Sequence, residues 1–140
     1  MTAKEWKKDI LDLLEMLKEK NNTVKQLDIS LVEANPEEEY AVFSFKPCEW
    51  EINEYGKISG AAIASIMEIS AGIVAASIRG AGIATDLNIS FLRELSADKD
   101  FTVKVYIVKA GRKIFRLRQE IFDGTTGKLS ATATMSSMAV

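Results

Sequence analysis

The 140-residue sequence contains no histidine. That one absence excludes Ser-His and Cys-His nucleophilic pairs, imidazole metal ligands and any imidazole general base. Cysteine is nearly absent as well. Cys48 stands alone, so no internal disulfide forms, a zinc site has too few ligands, and the composition suits a reducing, cytoplasmic setting. Basic residues have no surplus: 18 Lys and Arg against 20 Asp and Glu leave a net charge of −2. That balance carries no electrostatic footprint of a nucleic-acid partner. The first twenty residues, MTAKEWKKDILDLLEMLKEK, mix acids and bases and lack the apolar run of a secretory signal. No metal and no resident cofactor are expected.

What is present is an ordinary globular composition, 47% hydrophobic and 27% charged, in a chain long enough for a single domain (1–140) with a real core. With imidazole and thiol chemistry excluded, a carboxylate is the natural candidate for proton or nucleophile work. One stands out. The stretch ISGAAIASIMEISAG, residues 58–72, is small and apolar apart from a single full charge, Glu68. Burying a carboxylate unpaired on such a helix is costly enough to require a reason.

Periodicity sets the surroundings. Trp6, Ile10, Leu13, Leu14 and Leu17 recur at helical spacing and predict an amphipathic helix over 3–20. Alternation predicts strands over 24–33, with Leu27, Ile29 and Leu31 on one face, and over 40–46, through Ala41, Phe43 and Phe45. Asn35-Pro36 turns between them, and 47–57 reads as a loop. A helix over 59–79 ends at the breaker Gly80-Ala81-Gly82.

Four strands follow. The first shares a face among Ile83, Thr85, Leu87, Ile89 and Phe91, and the second among Phe101, Val103, Val105 and Ile107. The third, 113–122, sets Phe115, Leu117, Gln119 and Ile121 against Arg116, Arg118 and Glu120, and the fourth covers 128–137. Short turns between consecutive strands imply antiparallel pairing. An antiparallel sheet curled round one buried helix, an α+β architecture, satisfies every face of this pattern. The small residues Ala61, Ala62, Ala64, Ala71, Gly72, Ala75 and Ala76 would let the sheet approach. The apolar run 60–78 is about as long as a membrane span. Glu68 at its midpoint and the amphipathic strands around it favour a core helix instead.

Three segments carry a family resemblance. Asn53-x-x-Gly56-x-Ile58-Ser59-Gly60-Ala61, with Glu68 eight residues after Gly60, resembles the signature of hotdog-fold acyl-CoA thioesterases of the hydroxybenzoyl-CoA and phenylacetic acid degradation type. In that family the place of Ser59 is usually His and that of Ala61 is usually Gly. Asp86-Leu87-Asn88-Ile89-Ser90-Phe91-Leu92-Arg93 looks like the family's strand after the helix, and Lys109-Ala110-Gly111-Arg112-Lys113 resembles its basic hairpin. The resemblance spans about residues 25–137 and the order of elements agrees.

The resemblance implies hydrolysis of an acyl- or aryl-CoA thioester, with coenzyme A entering as part of the substrate. By position, Glu68 matches the catalytic carboxylate, Gly60 the residue whose backbone N–H polarises the thioester carbonyl, and Asn53 a polar positioning group. Ser59 and Ala61 flank the oxyanion donor, with Ser59 also suited to capping the helix. A Ser or Thr that some relatives carry falls at Ala84 or Thr85. Arg93, Arg112 and Lys113 are candidates for the coenzyme A phosphates.

Bland readings stand beside these: Glu68 pairing with Arg79, Asn53 as a turn residue, the basic residues merely solvated, Cys48 an unreactive loop residue. A non-catalytic acyl-CoA-binding module of the same fold is the alternative function. Geometry adds one inference of its own. Eight residues of helix separate Gly60 from Glu68 by roughly 8 × 1.5 = 12 Å, too far for both to meet one carbonyl. If they cooperate, they come from two chains across a two-fold axis, so a homodimer is expected, and a tetramer is open.

Overall fold

The computed structural model describes residues 1–140. Helix α1 spans Ala3–Lys20, opened by a capping box in which the Thr2 side chain accepts from the Glu5 N–H and Glu5 reaches back to the Thr2 N–H. Its apolar face buries Trp6, Ile10 and Leu14. The Asn21 side chain then accepts from the N–H groups of Thr23 and Val24 and winds one further turn, α2, over Asn22–Lys25. This turn corrects the expected strand start at 24: β1 runs Asp28–Asn35, and β2 returns over Tyr40–Lys46. Within the 47–57 connection a single 3-10 turn, Glu49–Glu51, is wound.

Helix α3 covers Gly60–Arg79. Ser59 begins it by accepting the Ala62 N–H at 3.2 Å, and Gly80, at φ +78°, ends it in a conformation that favours glycine. Strands β3 (Gly82–Phe91), β4 (Phe101–Ala110), β5 (Ile114–Phe122) and β6 (Leu129–Ala139) follow. All pairings are antiparallel, in the order β1-β2-β4-β5-β6-β3.

The six-stranded sheet wraps α3, whose buried face carries Ile63, Ile66, Met67, Ile73 and Val74 against Phe43, Phe101, Val103, Leu117 and Ile121 from the strands. Although α3 is long and apolar enough to cross a bilayer, it lies in this core. Helix α1 lies beside α3, tied to it by the Trp6 indole N–H donating to Ser77 Oγ at 2.9 Å. Of the small residues on α3, Ala62, Ala71 and Ala75 are buried where packing is close. Ala61, Ser65, Glu68, Gly72 and Ala76 instead form a stripe that the sheet leaves uncovered.

The face expected of β3 is broken near its start. A β-bulge between Ala84 and Asp86 puts Thr85 out of register with β6. Ile83 therefore sits one step out of phase with Leu87 and Ile89, and is 54% exposed. A second slip between Leu31 and Glu33 turns Val32 outward and brings Ala34 in.

Candidate active site

At the N-terminal end of α3 the chain builds a cleft from backbone and amide groups. Asn53 organises it: its side-chain oxygen accepts the N–H groups of Tyr55 and Lys57, at 3.0 and 3.1 Å, and its own N–H donates to the Lys57 carbonyl. Gly56, at φ +75°, completes this turn. The turn role is thus real for the Asn53 oxygen, while its side-chain NH₂ remains uncommitted. Ser59 is held by its N–H donating to the Glu51 carbonyl at 2.7 Å.

With Ser59 Oγ engaged by Ala62, the N–H groups of Gly60 and Ala61 are left without an acceptor in the chain, as expected of a first helical turn. They point from the positive end of the helix dipole. The Phe91 ring lies 3.6 Å from where a Gly60 side chain would begin. Arg93 lines the same cleft, about 420 Å³ in volume, with one guanidinium nitrogen donating to the Leu129 carbonyl at 2.9 Å.

Glu68 is not in this cleft. It stands two turns further along α3, half-buried on the uncovered stripe. It lines a separate crevice of about 340 Å³ between α1 and α3, together with Leu13, Met16, Leu17, Gly72 and Ala76. It makes no hydrogen bond or ion pair, and burial alone pushes its carboxyl above the usual range. The expected alternative partner, Arg79, is occupied elsewhere: it donates to the carbonyls of Arg112 and Ala110 and lies 5.9 Å from the Phe115 ring centroid. Arg112 and Lys113 are exposed in the β4–β5 hairpin, beside the Gly80–Gly82 turn and hence at the Glu68 end. Thr85 is exposed in the bulge, its hydroxyl donating to the Ser136 carbonyl at 3.3 Å.

Two supporting residues escaped the sequence reading. Glu51 is wholly buried, its carboxylate accepting the Cys48 N–H while its second oxygen has no partner. Burial raises its pKa, the Cys48 hydrogen bond opposes this, and nearby Asp28 adds to the rise. Lying between Trp50 and Ile52 in an irregular segment, it offered no periodic signal. Gln119 donates to the Met67 carbonyl at 2.9 Å, fixing α3 at the residue before Glu68. A polar residue on the inward face of a strand was its visible sign.

These elements define an antiparallel sheet wrapped round a single helix, the hotdog fold. The thioesterase superfamily model matches residues 55–130, more than half of the chain, and the chain belongs to that family. The mouse (Mus musculus) acyl-coenzyme A thioesterase 13 is 28% identical over 105 residues, 74% of each chain. The Escherichia coli PaaI protein from the phenylacetic acid degradation operon has a TM-score of 0.81 and 19% identity, covering 96% of this chain and 95% of its own. A hypothetical thioesterase from Streptococcus pneumoniae, solved with coenzyme A, has a TM-score of 0.77 and 18% identity over 89% of this chain and 96% of its own. At these identities the two solved structures speak to the fold.

Proposed function

We propose that the protein hydrolyses acyl-CoA thioesters in a site assembled from two chains, Glu68 coming from one and Gly60 with Asn53 from the other. The observation that carries this reading is the separation of the two halves within one chain. The Glu68 crevice borders the Gly82 end of β3, and the Gly60 cleft borders its Phe91 end. Strand β3 is an unpaired sheet edge, with Ile83 and Phe91 more than half exposed, and such an edge invites a partner strand. Antiparallel pairing of two β3 edges sets the start of one strand beside the end of the other, and so each Glu68 crevice beside the partner's Gly60 cleft.

The chemistry needs little else. Glu68 takes the proton of a water that attacks the carbonyl carbon, or attacks that carbon itself to give an acyl anhydride that a water then hydrolyses to the free acid and the carboxylate. The C=O electron pair moves onto oxygen, where the Gly60 N–H, with Ala61 beside it, holds the developing charge. Collapse expels the coenzyme A thiolate, whose conjugate acid has a pKa near ~8.5 by analogy with cysteine, so no strong general acid is needed. The Asn53 NH₂ positions the water or the carboxylate. Arg112 and Lys113 from one chain and Arg93 from the other flank the same composite site and suit the phosphates of coenzyme A. The coenzyme A bound to the Streptococcus pneumoniae protein and the acyl-CoA activity named for the mouse relative support this substrate class.

One observation favours a binding module instead: Ser59, in the usual place of the family's His, spends its hydroxyl oxygen on the helix cap. Complementation separates the readings. Glu68→Ala and Asn53→Ala homodimers are each expected to be nearly inactive in a thiol-release assay on acyl-CoA thioesters. After subunit exchange about half the dimers are mixed and carry one intact site, so activity should recover to roughly a quarter of wild type. No recovery despite confirmed exchange overturns the two-chain site, and no wild-type thiol release from any acyl-CoA overturns hydrolysis.

A further inference from the structure

We infer that the outer face of the sheet, at the β4–β5 hairpin, docks on an anionic lipid surface. The charge of the chain is unevenly laid out. Residues 101–119 carry six Lys and Arg and no Asp or Glu, in a protein whose net charge is −2. Two of the six, Lys104 and Arg118, lie over the Tyr106 ring. The other four, Lys109, Arg112, Lys113 and Arg116, are exposed in or beside the hairpin, and none forms an ion pair.

A run of bases on a hairpin is ordinarily just solvated. This one adjoins an apolar row. Phe115 and Leu117 point into the core, so Ile114 and Arg116 face outward. Ile114 pairs with Met138 of β6, and Met138 pairs with Ile83 of β3. Residues directly opposite share a face, so the three side chains form one row across three strands. They are 51%, 38% and 54% exposed. The β3 bulge between Ala84 and Asp86 sets Ile83 in this row, where unbroken alternation would turn it inward with Leu87 and Ile89. The neighbouring row on the same face is Lys109 opposite Arg116. Val108, at the β4 bulge, adds a further exposed aliphatic side chain to the hairpin.

Charge chooses among occupants. A second copy stacked on this face sets bases against bases, which opposes association. The row also lacks the aromatic side chains that anchor protein partners. Aliphatic side chains flanked by unpaired cations suit a lipid boundary, where the bases meet headgroup phosphates and the row enters among the acyl chains. Carboxylates stand to the sides. Glu120 holds Arg118 at 3.7 Å, Asp86 lies opposite Ser136, and the Glu37–Glu39 turn meets β4 through the Ile107 N–H without pairing with the hairpin bases. A Lys or Arg near an anionic surface strengthens binding about fivefold, so reversing Lys109 and Arg116 together should cost at least about 25-fold.

The experiment sediments the protein with vesicles of phosphatidylcholine alone, or with about a third phosphatidylglycerol, at low and high salt. Thermal melts establish that each variant is folded. The wild type is expected to bind the anionic vesicles only, and to release in high salt. Lys109→Glu with Arg116→Glu should abolish binding, and Ile114→Ser with Met138→Ser should weaken it several-fold. Arg112 and Lys113, which suit coenzyme A, stay in place in both pairs. Lys4→Glu with Lys7→Glu makes the same net change on α1 and should leave binding intact. Equal loss in that α1 pair overturns the docking face in favour of bulk charge. Equal binding to both kinds of vesicle, or binding that the Lys109 and Arg116 reversal leaves unchanged, also overturns it. So does a wild type that ignores vesicles, and if it instead forms assemblies that Ile114→Ser with Met138→Ser breaks apart, the row belongs to a second copy of the chain.

Discussion

The two ends of α3 are opposites. At the Gly60 end the chain presents donors: two unpartnered backbone N–H groups, the free NH₂ of Asn53 and the Arg93 guanidinium, with the one carboxylate there, Glu94, 3.7 Å from the Lys57 ammonium. Toward the Gly80 end it presents a carboxylate that no donor engages, Glu68 in a crevice lined mostly by leucine, isoleucine, methionine, glycine and alanine. An oxyanion needs the first set and water activation needs the second. In the proposed two-chain site each end supplies one half, and the unit of function is then larger than one chain. Burial against those apolar side chains is what pushes the Glu68 carboxyl up. A donor close by would hold its carboxylate ionised at lower pH, and none is present in its own chain.

The deepest break in that contrast is removal of the base. Glu68→Gln keeps shape and hydrogen-bonding capacity, so turnover is expected to fall by roughly 10² or more while acyl-CoA binding survives. In the wild type, activity should be lost as pH falls through the Glu68 ionisation, because a base must be unprotonated. Since burial raises that ionisation, the limb should lie above a free glutamate's value of about 4.3. No imidazole supplies a competing limb, and burial, followed by the neighbouring Glu51, pushes the Cys48 thiol up and away from neutrality. A limb that persists unmoved in both Glu68→Asp and Cys48→Ser would assign the base to another group.

Next in size is separation of the two ends by opening the edge between them. Asp86, Asn88 and Ser90 are exposed alternate residues of β3. In a two-fold antiparallel pair, residues of this set face one another. Asn88→Asp with Ser90→Asp sets three carboxylates on each edge, and like charges directly opposite cost about 0.2–1 kcal/mol per pair. Dimer dissociation should rise on the order of 10- to 100-fold, read by sedimentation, and activity in dilute solution should fall with it. Full activity in a demonstrated monomer would sink the composite site.

How much of this was legible depended on whether the cause was local. Helix α1 was visible because Trp6, Ile10 and Leu14 recur at the period of their own helix. The separation of Gly60 from Glu68 was visible because helix rise is fixed. Thr85 reads as sharing a face with Leu87 and Ile89, because the bulge that exposes it depends on how β3 meets β6. Leu13 and Leu17 read as core residues. Their half-exposure arises from the way α1 lies across α3, and with it the crevice. The strand read over 24–33 starts too early, because the alternation of Leu27, Ile29 and Leu31 is extended back to Val24. The Asn21 cap, satisfying two N–H groups at once, won over that pattern.

The smallest expected effect sharpens the donor end. Ser59 accepts the Ala62 N–H, so Ser59→Ala leaves that donor unpaired and should cost about 1 kcal/mol, a few degrees in Tm. If capping is all Ser59 does, turnover changes by no more than about threefold, since Gly60 and Ala61 keep their free N–H groups. Ser59→Asn caps as well as serine and should restore both stability and turnover. Ser59→Asp caps equally well and suits the helix dipole, yet it sets a negative charge beside the atoms meant to hold an oxyanion. Its stability should recover while its turnover drops. That split between Tm and kcat is the signature of a cap adjoining an oxyanion site. A loss of turnover in Ser59→Asn at full stability would instead give the serine hydroxyl a direct part in holding the thioester.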